Sequence, residues 1–393
     1  MRPFAAASAR RPPDGNFETF QKLLRYARSR AFATGVSRRI ASSPGRRRQG
    51  ERLTRKPTIL DVARRAEVSV GTVSNVLNSR GNVSAGRRAQ VEAAMAELGF
   101  LPNRVAQSLR RSESRVIGLC TPLTSSAYFA ALLEMFEDLA ARQGYEIMQV
   151  LSHGDPTLEL RRVQALLGRN VDGLILIPTH DARATLDLLA ERATPTVVVD
   201  RVSGDRRFDY VAIDDRKAMR EATRHLVALG HRRLLYLVRD TRLPTTKRRI
   251  EGFAEAAKEA APAVVATVLQ RDPDEAAFAE QIAAALRAAR PPTAIVASNS
   301  AIALSLVRAL QALSVRWPDD VSLLAFDEPV WAPIVTPPLA VVRHPTPRIA
   351  TEAWNRLLLR IGAPGTRPRR ITLDAMLVPA ASIGPPRGAR RAR

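Results

Sequence analysis

Residues 58–78 read TILDVARRAEVSVGTVSNVLN, two short apolar-periodic segments with almost nothing between them. Thr58 is a good helix cap, and Asp61 three residues on places a carboxylate at the positive helix end. Ile59, Val62, Ala63 and Ala66 then fall on one face. Ser69 is a second cap, and Val73, Val76 and Leu77 again share a face. Only Glu67 and Val68 lie between the two segments. Helices joined so tightly must cross steeply, which is a helix-turn-helix. The other face of the second helix is unusual. Val70, Ser74 and Asn78 are spaced by four, with Gly71 and Asn75 beside them. A solvated face would carry Lys, Glu or Arg. Small polar groups instead allow close entry into a DNA major groove, where Asn can pair with adenine and Val can meet a thymine methyl.

A third helix is expected after Ser84, with Val91, Ala94, Met95 and Leu98 as its apolar stripe and Gly99 as its stop. The three helices make a headpiece over residues 57–101. The next segment, 102–115, has Pro102 as a possible helix start and Val105, Ala106 and Leu109 on one side. It is too short to be helical alone in water and needs its twin or DNA as partner.

The pattern T-I-x-D-V-A-x-x-A-x-V-S-x-x-T-V-S-x-V-L-N, then G-N-V-S and P-N-x-x-A-x-S-L, resembles the LacI/GalR family of bacterial transcription regulators. The resemblance implies that Val70, Gly71 and Asn75 read bases. It places Thr58, Ser69, Thr72, Ser74, Asn78 and Asn82 at positions that hold phosphates or the fold. Asn103, Ala106 and Leu109 match the hinge segment, where the leucine is a minor-groove wedge that kinks the operator. Implied partners are a palindromic double-stranded DNA operator, a small-molecule effector and a second copy of the chain. One departure is Glu67, where the family usually has Gly in the turn. A Glu there costs free energy if the backbone needs positive φ.

From Val116 onward, short apolar runs (RVIGLC, DGLILIP, TVVVD, YVAID, RLLYLV, AVVATVL, TAIVAS, VSLLAF) alternate with amphipathic stretches such as 130–142, 181–192 and 215–229. This alternation predicts parallel sheets with helices on both faces. The runs lack a two-residue period, as strands buried on both sides do. About 268 residues is large for one sheet, so two doubly wound lobes are expected, with ligand at the carboxyl ends of the strands. VVVDR, VAIDD, HLVALGHRR, RRIEGF, PPTAIVASNSAIA and LLAFDEP follow the family's order, and the resemblance spans roughly residues 57–383. It implies a periplasmic-binding-protein-like effector domain over 116–383. Lobe 1 would take 116–213 and 343–369, and lobe 2 would take 214–342 and 370–383. Arg249 and Asp327 match ligand-binding positions, against a surface ion pair and a turn role respectively. Tyr128 and Phe129 match aromatics facing the ligand or packing the core. Asn299 matches the first residue of an Asn-Asp pair whose acid is Ser300 here. His231 is expected to stabilise the preceding helix terminus.

Charge is concentrated at the ends. The net charge is +23, and residues 1–56 hold 15 Lys+Arg against 3 Asp+Glu. That segment lacks a helical or strand period and a secretory apolar region, and reads as a disordered basic extension. Residues 384–393 read as a basic disordered tail. Such ends attract phosphate polyanions without reading sequence. The single cysteine, Cys120, lies in an apolar run and reads as a buried hydrophobe in a reducing compartment. No apolar run is long enough to span a membrane. No metal cluster, phosphate loop, nucleophile elbow or dinucleotide fingerprint occurs, so neither enzyme activity nor a cofactor is expected. The competing reading is a sugar-binding protein of a transport system, which would need export and no recognition helix. The expected function is therefore a cytoplasmic DNA-binding regulator, a repressor, controlled by a sugar or related metabolite held between the lobes.

Overall fold

Helix α1 (Ile59–Arg65) starts where Thr58 and Asp61 close on each other. The Thr58 amide and hydroxyl both donate to Asp61 Oδ2, at 2.8 and 2.6 Å. Caps of this kind contribute about 1 kcal/mol. The turn is closed by the Val68 amide on the Ala63 carbonyl, 3.0 Å. Glu67 sits in it at φ 52°, the positive φ that glycine would adopt without strain. Helix α2 (Val70–Leu77) follows, then α3 (Ala85–Leu98), which ends on Gly99 in the left-handed region at φ 59°. Val62, Val73 and Val91, one from each helix, are fully or almost fully buried together. At about 1.5–3 kcal/mol per buried side chain, these few contacts set the crossing of α1 and α2. Arg65 on α1 and Glu97 on α3 add an exposed ion pair.

The computed structural model describes residues 57–77, 81, 83–100, 113–123, 126–202, 204–260 and 262–387. The three helices belong to a unit ending at Pro102, and everything from Asn103 onward forms a second unit. The expectations placed on Asn78, Asn82, Asn103, Ala106 and Leu109, on the basic extension 1–56 and on 388–393 of the expected tail lie outside the described residues. The first part of that tail, 384–387, is instead anchored, with the Gly384 amide on Ser322 Oγ and Arg387 paired with Asp320.

The second unit contains two six-stranded sheets. The first is built from β1 (Val116–Thr121), α4 (Ala127–Arg142), β2 (Glu146–Leu151), α5 (Pro156–Leu167), β3 (Gly173–Leu176), α6 (Arg183–Glu191), β4 (Thr196–Val199) and β5 (Asp209–Ile213). The second has α7 (Asp215–Ala228), β6 (Arg233–Val238), α8 (Pro244–Glu259), β7 (Val265–Gln270), α9 (Glu275–Arg287), β8 (Ala294–Ala297), α10 (Ser300–Ala312), β9 (Ser322–Phe326) and β10 (Ala340–Arg343). Helix α11 (Thr346–Gly362) returns to pack on β3, β4 and β5. Two short strands close the fold, β11 (Arg370–Leu373) and β12 (Met376–Val378). The sheet orders are β11-β5-β4-β3-β1-β2 and β12-β10-β9-β8-β6-β7, parallel except for the antiparallel β10–β12 pair. The expected α/β alternation is thus present, with β3, β4, β5, β8 and β9 buried along their whole length. The run AVVATVL differs. It forms the edge strand β7, largely exposed, because an edge strand has a neighbour on one side only.

The final crossing corrects the expected lobe boundary. The resemblance implies lobe 2 for 370–373, but they pair parallel with 210–213 in the first sheet. From 376 onward the expectation holds: 376–378 pair with β10, and the Ser382 hydroxyl donates to the Leu323 carbonyl and accepts from the Ala340 amide, both at 2.7 Å. The chain therefore crosses between sheets after Ile213, after Arg343 and after Leu373. His231 also differs from expectation. Its Nδ1 meets Thr293 Oγ1 at 3.0 Å and its Nε2 meets the Gly384 carbonyl at 2.9 Å. Burial pushes its pKa down to about 4, so it is neutral and ties the sheet to the last segment. The preceding helix end is instead met by Arg232, whose Nη1 donates to the Val227 carbonyl.

Gly252 decides how α8 lies on α7. A Cβ at this position would stand 2.1 Å from the Arg216 carbonyl oxygen. Only a glycine allows the two backbones to touch, and this contact brings Arg249, one turn earlier on α8, against Asp215 at the start of α7.

Candidate functional site

Two regions carry the chemistry anticipated from the sequence. On the headpiece, α2 buries Val73 and Val76 and turns the opposite face outward. Val70, Gly71 and Asn75 are exposed and Ser74 is half-buried. Val70 leaves 38% of its surface in water, an expense for an apolar side chain unless something else covers it. Ser69 and Thr72 are engaged with each other. The Thr72 amide donates to Ser69 Oγ at 3.1 Å, and the two hydroxyls are 2.9 Å apart. With the Thr58 hydroxyl donating to Asp61, all three hydroxyls are held in the first turns of α1 and α2 and are positioned before any ligand arrives.

The second region is where the two sheets face each other. Parallel strands of both lobes end there, and side chains following their carboxyl ends meet, as open α/β sheets require. Asp200 follows β4 and Asp327 follows β9. They occupy matching places, and both have positive φ, 70° and 71°. Aspartate tolerates this region better than most residues, and such strain concentrates at binding sites. Arg249 is 8% exposed. Its Nε donates to Asp215 Oδ1 at 2.6 Å and its Nη1 to the Ser298 carbonyl at 2.9 Å. Its guanidinium lies 3.6 Å from the centre of the Phe326 ring. Burial disfavours the charge on Arg249, but the carboxylates of Asp215, Asp327 and Asp200 more than offset this, and it stays protonated. Burial likewise pushes the Asp327 carboxyl up. The His344 imidazole, Arg249 and the Ser300 amide hold it below its usual range.

From the first lobe, Tyr128 stacks on His344 with centroids 4.3 Å apart, and Phe129 sits 5.2 Å from Tyr128. Arg201 lies over Phe129 and donates from Nη1 to the Pro178 carbonyl at 2.8 Å. His344 Nε2 meets Asp327 Oδ1 at 3.0 Å. One apolar cluster runs through both lobes, from Ile117 and Phe136 to Tyr236 and Phe253. Within this setting three buried polar atoms have no partner among the described residues: Tyr128 Oη, Tyr236 Oη and His344 Nδ1. Burial, then the nearby carboxylates, push both phenols up, so both hydroxyls keep their protons. Leaving such a group unsatisfied costs about 1–3 kcal/mol, so three near one buried arginine mark a place suited to a polyhydroxylated ligand.

Of the residues expected at the cleft, Tyr128, Phe129, Arg249 and Asp327 are brought together. Asn299 is half-buried nearby and caps α10, its Oδ1 accepting from the Ile302 amide at 2.9 Å. That bond occupies the oxygen and leaves the amide nitrogen for other contacts. Sequence reasoning missed Asp200, Arg201, Asp215, Tyr236 and His344. The first three stand in the quoted motifs VVVDR and VAIDD, directly after strand-like runs, which was the available signal. Tyr236 and His344 had none. Cys120 is buried, and burial pushes its thiol up to about 12, so it is an unreactive core residue. Among the described residues no group of metal-ligating side chains occurs, and no helix is long and apolar enough to cross a membrane.

Comparison with known proteins agrees with this geometry. Residues 58–103 match the family model of bacterial regulatory proteins, lacI family, and residues 223–383 match a periplasmic binding protein-like domain. The HTH-type transcriptional regulator DegA of Bacillus subtilis is 30% identical over 300 residues, covering 76% of this chain and 89% of DegA. The lac repressor dimer bound to operator and the anti-inducer ONPF superposes with a TM-score of 0.74 at 26% identity, over 84% of this chain and 99% of that one. The transcriptional regulator CelR in complex with cellobiose superposes with a TM-score of 0.62 at 27% identity, over 83% and 100% of the respective chains. A recognition-type helix, a two-lobed body with a buried polar cleft, and similarity along most of the chain point the same way: this protein belongs to the lacI family of bacterial regulatory proteins, DNA-binding regulators that respond to small molecules.

Proposed function

We propose that this chain is a cytoplasmic repressor, without enzymatic activity, whose operator affinity is set by a neutral sugar or similar polyol held between the lobes. The observation that supports it most is that Tyr128 Oη, Tyr236 Oη and His344 Nδ1 are buried without a partner among the described residues, in the same core that buries the Arg249–Asp215 pair. Hydroxyls of a sugar can accept from the two phenols and donate to Asp327, while an apolar ring face packs on Phe129. Similarity to a cellobiose-bound regulator favours the same ligand class.

Asn75, Val70 and Gly71 would read bases in the major groove, with Thr58, Ser69, Thr72 and Ser74 positioning the helix on phosphates. Asn78, Asn82, Asn103, Ala106 and Leu109 complete the DNA contacts, with segment 102–115 acting as the hinge that orders on DNA. Two copies would bind two half-sites of a palindrome. Val330 and Ile334, 83% and 77% exposed, offer apolar surface for the contact between copies. Ligand binding changes how the lobes close, and the three chain crossings transmit this to the hinge. A coupling of about 1–3 kcal/mol changes operator affinity about 5–150-fold.

The test is a thermal-shift panel of neutral mono- and disaccharides on the full chain, followed by operator binding with each sugar that shifts the melting temperature. Arg249→Ala should abolish the sugar effect and leave sugar-free operator affinity within about twofold. An Arg249→Ala protein with a normal sugar response would place the effector elsewhere.

A further inference from the structure

The first sheet is parallel throughout. The starts of β1, β5 and β11 therefore share one end, opposite the cleft. Between the starts of β5 and β11 the surface dips into a concavity of about 290 Å³ lined by Arg206, Phe208, Pro368, Arg369 and Arg370. None of these residues belongs to the α2 face or to the cleft.

Three of the five lining residues are arginines, and the nearby carboxylates are already engaged. Asp209, fully buried beneath the strand starts, takes Arg356 and Arg360 and also accepts from the Arg369 amide at 2.7 Å. Asp205 and Asp187 are taken by Arg207. Among the described residues no carboxylate pairs with the guanidinium of Arg206 or Arg369. Arg370 lies over the Tyr210 ring, 5.4 Å from its centre. Guanidinium groups crowded around one hollow repel each other unless an anion sits between them. Their planar forks match phosphate oxygens in pairs. The backbone carrying Arg369 is fixed by Asp209, which reduces the ordering cost of binding there. Phe208 and Pro368 give the hollow an apolar wall, and its volume exceeds what a bare phosphate needs.

We propose that this hollow binds the phosphate group of a phosphorylated small molecule, with Arg206 and Arg369 gripping the phosphate and Phe208 and Pro368 against the rest of the ligand. It would give the protein a second effector site, on the opposite end of the first lobe from the cleft. Backbone phosphates of DNA are the other source of the same chemistry, and the test separates the two.

Pyrophosphate is titrated into the full chain by calorimetry. In parallel, operator binding is followed across a salt series. The variant Arg206→Gln/Arg369→Gln removes two exposed charges. The control Arg290→Gln/Arg308→Gln removes two exposed charges from the other lobe, and thermal melts check that both variants are folded. Saturable pyrophosphate binding, weakened about tenfold or more by the first variant and less than about twofold by the control, is the expected result. Operator affinity and its salt slope should not change. If pyrophosphate does not bind, but the first variant flattens the salt slope of DNA binding by about 2, the arginines serve DNA and the small-molecule site is overturned. Equal effects of the two variants, or none, would overturn it as well.

Discussion

Gly252→Ala tests the link between packing and site most sharply. The new Cβ would stand 2.1 Å from the Arg216 carbonyl oxygen, whereas real Cβ contacts do not fall below 3.0 Å. Helices α7 and α8 must separate by at least the difference, 0.9 Å. The obstacle is backbone, so no side-chain rotation relieves it. Alanine gains about 1 kcal/mol in helix propensity over glycine. Overpacking costs about 1–3 kcal/mol. The separation also stretches the buried 2.6 Å Arg249–Asp215 bond to about 3.5 Å, beyond good geometry, and breaking a buried pair costs about 3–5 kcal/mol. With partial relaxation the net loss is about 2–4 kcal/mol. For a domain this large, that lowers the melting temperature by roughly 4–16 °C. Urea unfolding of the full chain measures the stability, and sugar-dependent operator binding measures the site. The expected outcome is lower stability together with a weaker effector response. A Gly252→Ala protein of unchanged stability and normal response would refute the claim that glycine sets this crossing.

Three further outcomes are expected. Burial pushes the Glu159 carboxyl up to about 7, against the opposing effect of its bond from the Thr179 amide. Because its folded pKa is above its unfolded value, its stabilising contribution is full below about pH 4.5 and lost as pH rises through 7. Relative to Glu159→Gln, the wild type should lose about 2.5 kcal/mol between pH 5 and pH 8, and parallel pH–stability curves for the two would contradict this. Asn75→Ala should cost about 1–3 kcal/mol at one operator position and relax base preference there; equal weakening on every sequence would show a phosphate contact instead. Asp209→Asn leaves Arg356 and Arg360 buried without a counter-charge, and chemical unfolding should show a loss of about 3–5 kcal/mol, whereas a change under 1 kcal/mol would show that the pair is solvated.

The headpiece was legible because its structure is local. Caps at Thr58 and Ser69 and the 3–4 spacing of Val62, Val73 and Val76 each report on a few neighbouring residues, and the turn at Glu67 has the positive φ that its usual glycine implies. Arg249 and Asp327 were legible through their motifs. Asp215, Tyr236 and His344 were not, because nothing local distinguishes them. They become a site only when α8 crosses α7 and when β10 ends beside α4. The same holds for residues 370–378. Two short strands lie two residues apart, and their composition does not say which sheet each joins. Long-range pairing decides, with β5 taking the first and β10 the second. His231 shows the converse error. Its place after a helix suggested a charged cap, but burial makes it neutral and gives it partners far along the chain.

Selection of DNA from a random pool by the purified protein, at about 150 mM salt so that sequence-blind attraction is screened, tests the central claim most directly. The account predicts recovery of a single palindrome whose half-sites are specified by α2, with binding that Asn75→Ala degrades. Recovery of no common sequence, with binding that vanishes as salt rises, would mean that the basic segments alone attract DNA, and would contradict the account.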